Sequence, residues 1–200
     1  MLSTALDAIM SNVEELNRLD AATGDGDHGT AILTAIKAAV NSSQKDENNL
    51  AKILETIGWD VMASASGSTS TLTGSFFIGM SNAAKSDELD VSETIEMFKS
   101  GLANVRMSTK AAVGDKTLMD ALIPAIETME SQKNSNKSLA EIFQLTYNAA
   151  KKGADSTKDL LAKFGRAKNI GERSRGNLDA GAVSIALIYK AYADAIQKNE

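Results

Sequence analysis

Residues 19–40 read LDAATGDGDHGT followed by AILTAIKAAV. Asp20, Asp25 and Asp27 fall within eight residues, and His28, the only histidine of the chain, follows directly. Gly24 and Gly26 separate the acids and Gly29 follows them. Such glycine spacing disfavours a helix or strand interior and suits a tight loop. From Ala31 onward the apolar residues recur at helical spacing. The acidic loop therefore opens onto a helix N-terminus, where free backbone N–H groups favour anions. Three crowded carboxylates repel one another unless a cation sits among them, and hard divalent ions bound through oxygen are the economical choice. A solvated acidic turn with a helix-capping aspartate is the alternative reading. Acids that bind metal beside an anion-favouring helix end suggest a magnesium–phosphate site.

Composition bounds the rest. Two hundred residues fit a single domain, 1–200, and 43% apolar content marks it as globular. One proline, many alanines and 4% aromatic residues point to an all-α protein. The absence of cysteine excludes disulfides and thiolate metal sites and agrees with a cytoplasmic setting. No apolar run reaches the roughly 18 residues of a membrane span. The N-terminus MLSTALDAIMSNVEELN lacks the basic region and cleavage pattern of a signal peptide. A net charge of −5 argues against nonspecific nucleic-acid binding. Neither nucleic acid nor membrane is expected as a partner.

Apolar spacing and end signals place helices at about 3–18, 29–40, 50–64, a start within SGSTSTLTG to about 85, 91–106, 115–130, 139–151, 156–164 and 180–197. Asp90 with Glu93, and Ser138 with Glu141, fit capping boxes. Pro124 predicts a kink or break within its helix. No alternating strand pattern is present.

Three further segments hold more glycine and small polar residues than a helix bundle needs: ASGSTSTLTGS, AAVGDKTLMDA and GRAKNIGERSRGNLDAGA. All fall where helices begin or end, and in a closed bundle such ends can gather at one rim. The first precedes an apolar run and either cradles phosphate with backbone amides or is an N-cap cluster. In the second, Asp115 reads as an N-cap and Lys116 as a solvent-facing lysine, with a phosphate contact as the alternative. In the third, Arg166, Arg173 and Arg175 suit phosphate recognition, or pair structurally with Asp179.

Taken together the four segments resemble the ADP-binding L subunit (DhaL family) of dihydroxyacetone kinases. The likeness rests on D-x4-D-x-D-H-G, a small-residue loop ending G-S-F-F, then G-D-K-T, then G-R-A…G-E-R-S…D-x-G-A, in order over about residues 19–184. It implies a closed barrel of about eight antiparallel helices, with a nucleotide (ADP or ATP) and two Mg²⁺ ions held in loops at one rim. By that resemblance Asp20, Asp25 and Asp27 bind metal. His28, Gly29 and Thr30 face the phosphates, Ala31 is a further nucleotide-binding position, and Thr69 and Ser70 stand at matching phosphate positions. Thr109 and Leu118 match positions of the nucleoside pocket. Arg166 and the turn Asp179-Ala180-Gly181 match positions that close over the nucleotide, and His28 and Arg166 are the catalytic donors.

The same resemblance implies that a partner subunit holds the sugar (DhaK-like), and that this chain alone is inactive. A phosphohistidine-carrying phosphotransferase subunit (DhaM-like) recharges bound ADP in the phosphoenolpyruvate-linked layout. An ATP-dependent triose or tetrulose kinase subunit and a non-catalytic regulatory paralogue are the rival readings, and a homodimer is left open. The chain departs from the family pattern in places. Gly67-Ser68-Thr69-Ser70-Thr71-Leu72 stands for the usual Gly-Ala-Ser-Gly-Pro-Leu. Ala31 stands for a common asparagine, Thr109 for a frequent glycine, and Asp179-Ala180-Gly181 for Asp-Pro-Gly.

Overall fold

The computed structural model describes residues 1–45 and 47–198, and among these there are helices and no strands. The helices are α1 (Leu2–Met10), α2 (Val13–Ala21), α3 (His28–Ser43), α4 (Leu50–Ser64), α5 (Ser68–Ser81), α6 (Val91–Ser108), α7 (Met119–Ser131), α8 (Leu139–Ser156) and α9 (Ala180–Gln197). Short 3-10 segments cover Thr157–Asp159 and Arg166–Ser174.

Both capping boxes form. The Asp90 and Ser138 side chains accept from the Glu93 and Glu141 amides, and each glutamate reaches back to its cap residue's N–H. Elsewhere the helices depart from the sequence expectation. The first predicted helix is two, α1 and α2. Ser11 Oγ donates to the Asp7 carbonyl and Asn12 Nδ2 to the Ala8 carbonyl, each at 2.8 Å, and this competition with the backbone ends α1. Helix α7 starts at Met119 rather than Asp115, because Lys116 takes a left-handed φ of 58°. It then runs unbroken through Pro124, so the predicted break is absent. The Asp120 carbonyl, which Pro124 cannot bond, lies where a Cβ on Gly153 of α8 would sit 2.0 Å away. The helix expected over 156–164 is only the turn Thr157–Asp159, and an excursion stepping through left-handed Gly165 and Gly171 follows.

Eight helices form a closed ring. Each of α3 to α9 packs on the next, and α1 closes the circle by lying between α9 and α3. Helix α2 stands outside it, against α3 and α9. Inside, Phe98, Phe143, Tyr189 and Tyr192 meet largely edge to face, with Phe98 and Phe143 centroids 5.4 Å apart. The wall is completed by small and branched residues such as Ala35, Ile36, Ile126 and Ala186. An apolar cavity of about 50 Å³ remains between Ile36, Leu72, Phe76, Leu118, Ile185 and Tyr189. No helix among the described residues is long and apolar enough to cross a membrane.

Candidate metal and phosphate site

The acidic loop joins α2 to α3, and its shape is set by Asp20 in the last turn of α2. One carboxylate oxygen of Asp20 accepts the amides of Gly26 at 2.9 Å and Asp27 at 3.0 Å. Gly26 adopts a φ of 79°, which a side chain would strain. These constraints fold the loop so that one carboxylate oxygen from each of Asp20, Asp25 and Asp27 lies within 4.8 Å of the others. Asp27 occupies the N-cap position of α3 without a side-chain cap bond, so its carboxylate stays free of the helix. The donor set is all carboxylate oxygen, the chemistry suited to a hard divalent cation.

The start of α3 is pressed onto α2. A Cβ on Gly29 would lie 2.2 Å from the Val13 carbonyl, so only glycine permits this approach. Asn17 of α2 and Thr30 clasp reciprocally, amide oxygen to backbone N–H and amide nitrogen to hydroxyl, each at 3.1 Å. Ala31 N–H is used by the Asp27 carbonyl at 2.9 Å. Of the predicted nucleotide-binding positions, Thr30 and Ala31 thus have their amides committed within the fold.

His28 links three helices. Its Nε2 lies 3.0 Å from Ser184 Oγ of α9, and its Nδ1 lies 3.3 Å from Thr69 Oγ1 of α5. Ser184 spends its own proton on the Gly181 carbonyl at 2.8 Å. The imidazole, assigned from this network, therefore carries its proton on Nε2 and accepts from Thr69 at Nδ1. Burial pushes its pKa down, against the opposing pull of Asp20, so the ring is neutral near pH 7. The Nε2 proton that a phosphate contact would use is directed at Ser184. Ser70 is buried, and its hydroxyl donates to the Ala65 carbonyl at 2.6 Å and the Gly67 carbonyl at 3.3 Å. The Ser70 hydroxyl is therefore turned into the fold, while Gly67 and Ser68 at the start of α5 are exposed.

The third and fourth segments reach the same rim. Arg166 pairs with Asp25 and so meets the acidic triad. Asp179 caps α9, accepting from the Ala182 amide at 2.7 Å. Burial pushes its carboxyl up to about 7, opposed by that amide. A Cβ on Gly181 would lie 3.2 Å from Leu118 Cβ, which brings the Asp179-Ala180-Gly181 turn beside the predicted nucleoside position. Thr109 ends α6 in extended conformation, its hydroxyl accepting from the Ala111 amide at 3.1 Å.

Three residues take roles the sequence did not suggest. Asp115 is not a helix cap; it accepts from the Ala112 amide at 2.8 Å and from Lys163 Nζ at 2.8 Å, and the Lys163 ammonium holds its carboxyl below the usual range. The loop is instead organised by fully buried Asp120, which accepts from Gly114 and Thr117 amides at 2.6 and 2.7 Å. An acid in a helix's first turn was the available signal. Lys116 is not solvent-facing but 2% exposed, donating to the Thr157 and Asn177 carbonyls. Nothing in its local sequence distinguishes it from a surface lysine.

The class of protein is an all-helical ring domain with a carboxylate triad in the loop that opens α3. Residues 22–194 match the DAK2 domain, and the chain belongs to that family. It is 31% identical to the ADP-binding subunit DhaL of phosphoenolpyruvate-dependent dihydroxyacetone kinase 1 from Listeria innocua, over 92% of this chain and 87% of that one. It is 33% identical to an L-erythrulose kinase from Pectobacterium atrosepticum, over 99% of this chain but only 34% of that protein. The fold matches the crystal structure of the Citrobacter freundii dihydroxyacetone kinase in complex with AMP-PNP and Mg²⁺, with a TM-score of 0.74 at 27% identity, over 97% of this chain and 33% of that one. The chain therefore spans about a third of the L-erythrulose kinase and of the Citrobacter freundii kinase it resembles, and most of the Listeria innocua DhaL subunit.

Proposed function

We propose that this chain, as one domain over residues 1–200, is the nucleotide-binding subunit of a dihydroxyacetone-type kinase, held in the cytoplasm and working with a sugar-binding partner subunit. The observation that carries this reading is the convergence of Asp20, Asp25 and Asp27 beside the start of α3 in a DAK2-family ring. The carboxylate donor set fits two Mg²⁺ ions, with those three aspartates as ligands. Bound there, Mg²⁺ supplies charge neutralisation for a polyphosphate and aligns it for in-line transfer.

The chain's own residues do the rest. The N-termini of α3 and α5 turn free amide and dipole charge toward phosphate oxygens. His28 ties these two helix ends to α9, so that the anion-binding elements stay in register. Arg166 offers a guanidinium fork beside the triad, positioned to exchange Asp25 for a phosphate oxygen. Leu118 and Thr109 flank the nucleoside side, and the Asp179-Ala180-Gly181 turn closes it. No side chain of this subunit is phosphorylated, because the nucleotide carries the group. The acceptor is dihydroxyacetone or a related short ketose such as erythrulose.

The phosphoenolpyruvate-linked version is favoured by the match to a separate DhaL subunit over nearly its full length. In that version ADP stays bound, and a phosphohistidine-carrying subunit recharges it. The test combines the purified chain with its sugar-binding partner and either ketose. One arm adds ATP, the other phosphoenolpyruvate with a phosphotransferase relay. Ketose phosphate formed only in the relay arm, with ADP retained through gel filtration, supports the linked version. Product from ATP with rapid ADP loss supports the ATP-dependent one, and no product with either donor overturns the kinase reading.

A further inference from the structure

We propose that Lys116 is a positioning residue, whose buried ammonium clamps both ends of the 157–179 excursion and so holds Arg166 against the acidic loop. Lys116 is the only non-glycine with positive φ among the described residues, at 58°, and is 2% exposed. Both features are unfavourable for lysine. The left-handed backbone is strained for a residue with a side chain, and taking an ammonium out of water is costly unless it is well bonded. Its acceptors are two main-chain carbonyls, Thr157 and Asn177. The first begins the excursion and the second ends it.

Other bonds gather at the same base. The Asp179 amide donates to Thr157 Oγ1 at 2.9 Å, the Gly176 amide to the Lys158 carbonyl at 2.8 Å, and Arg175 Nη1 to the Asp159 carbonyl at 2.7 Å. Farther out, Lys163 to Arg166 are all exposed. That stretch is tied back by Lys163 to Asp115, beside Lys116 in the same turn, and by Arg166 to Asp25. Asp120 fixes the turn itself. One strained turn thus holds the excursion at its base and flank, and the guanidinium at its far side reaches the triad.

The consequence for ligand binding rests on the nucleotide reading above; the clamp does not. Lys116→Gly suits a φ of 58° and removes only the side chain. Amide hydrogen exchange of the full chain, without ligand, reads the clamp. Loss of two charge-assisted hydrogen bonds should speed exchange across 160–176 by about tenfold or more, with α3 to α8 unchanged. Ethylammonium should restore protection and tetramethylammonium, lacking N–H donors, should not. Calorimetry with Mg·ADP reads the positioning. The variant should lose affinity, and Lys116→Gly/Arg166→Ala should bind no more weakly than Arg166→Ala alone. Unchanged exchange over 160–176, equal effects of the two amines, or fully additive affinity losses would each overturn the proposal. If Lys116→Gly does not fold, Lys116→Asn, which also tolerates this backbone, carries the same readouts. Failure of the wild type to bind Mg·ADP would remove the nucleotide reading and leave exchange and amine rescue to decide the clamp.

Discussion

His28 Nε2 donates to Ser184 Oγ at 3.0 Å, joining the first turn of α3 to the first turns of α9. Because Ser184 passes its own proton to Gly181, the histidine tautomer is fixed. Ser184→Ala leaves that half-buried N–H without its acceptor. We expect it to cost about 1 kcal/mol in urea unfolding and to weaken Mg·ADP binding. Unfolding and binding both equal to wild type would show that this link does not order the site.

Asp179 sets a pH dependence. Its folded carboxyl titrates at about 7, raised mainly by burial and further by Asp120 and Asp20, with Lys116 pulling the other way. A raised carboxyl binds more protons folded than unfolded, so stability falls as pH rises from about 4 to about 7. Part of the residue reaches solvent, which trims the effect to about 2 kcal/mol. Asp179→Asn keeps a competent cap for α9 and removes the titration. Melting of ligand-free protein between pH 4 and 8 should slope downward from this group in the wild type and lose that component in the variant. Parallel curves would refute the assignment.

Much of the architecture was written plainly into the chain. The capping boxes at Asp90 and Ser138 announce α6 and α8, since each reports a local bond between residues three apart. The cluster of Asp20, Asp25 and Asp27 was legible because all three fall within eight residues of a glycine-rich loop, and the three further loops in matching order favoured a metal site over an acidic turn. What stayed hidden depended on distant partners. Lys116 looks like any surface lysine until Thr157 and Asn177 fold over it. Asp115 and Asp120 both accept amides of one loop, and the left-handed turn between them keeps Asp115 from capping α7. The break at Ser11-Asn12 was misread because apolar spacing continues across it, whereas the two polar side chains turn back onto α1.

Tyr189 carries a buried hydroxyl with no hydrogen-bond partner among the described residues, and it lines the apolar cavity of the ring. Tyr189→Phe removes an unsatisfied polar group and little packing. We expect a gain of about 1 kcal/mol in thermal or urea unfolding. A loss of that size would mean the hydroxyl is bonded in solution.

The proposed role of Asp20, Asp25 and Asp27 is a shared Mg²⁺ seat for a nucleotide. Isothermal titration of the purified chain with ADP, with and without Mg²⁺, tests this for the wild type and for Asp25→Ala. The predicted result is binding by the wild type that requires Mg²⁺, and its loss in Asp25→Ala with helical content and melting retained. Equal ADP affinity in the variant, or wild-type binding indifferent to Mg²⁺, would contradict it.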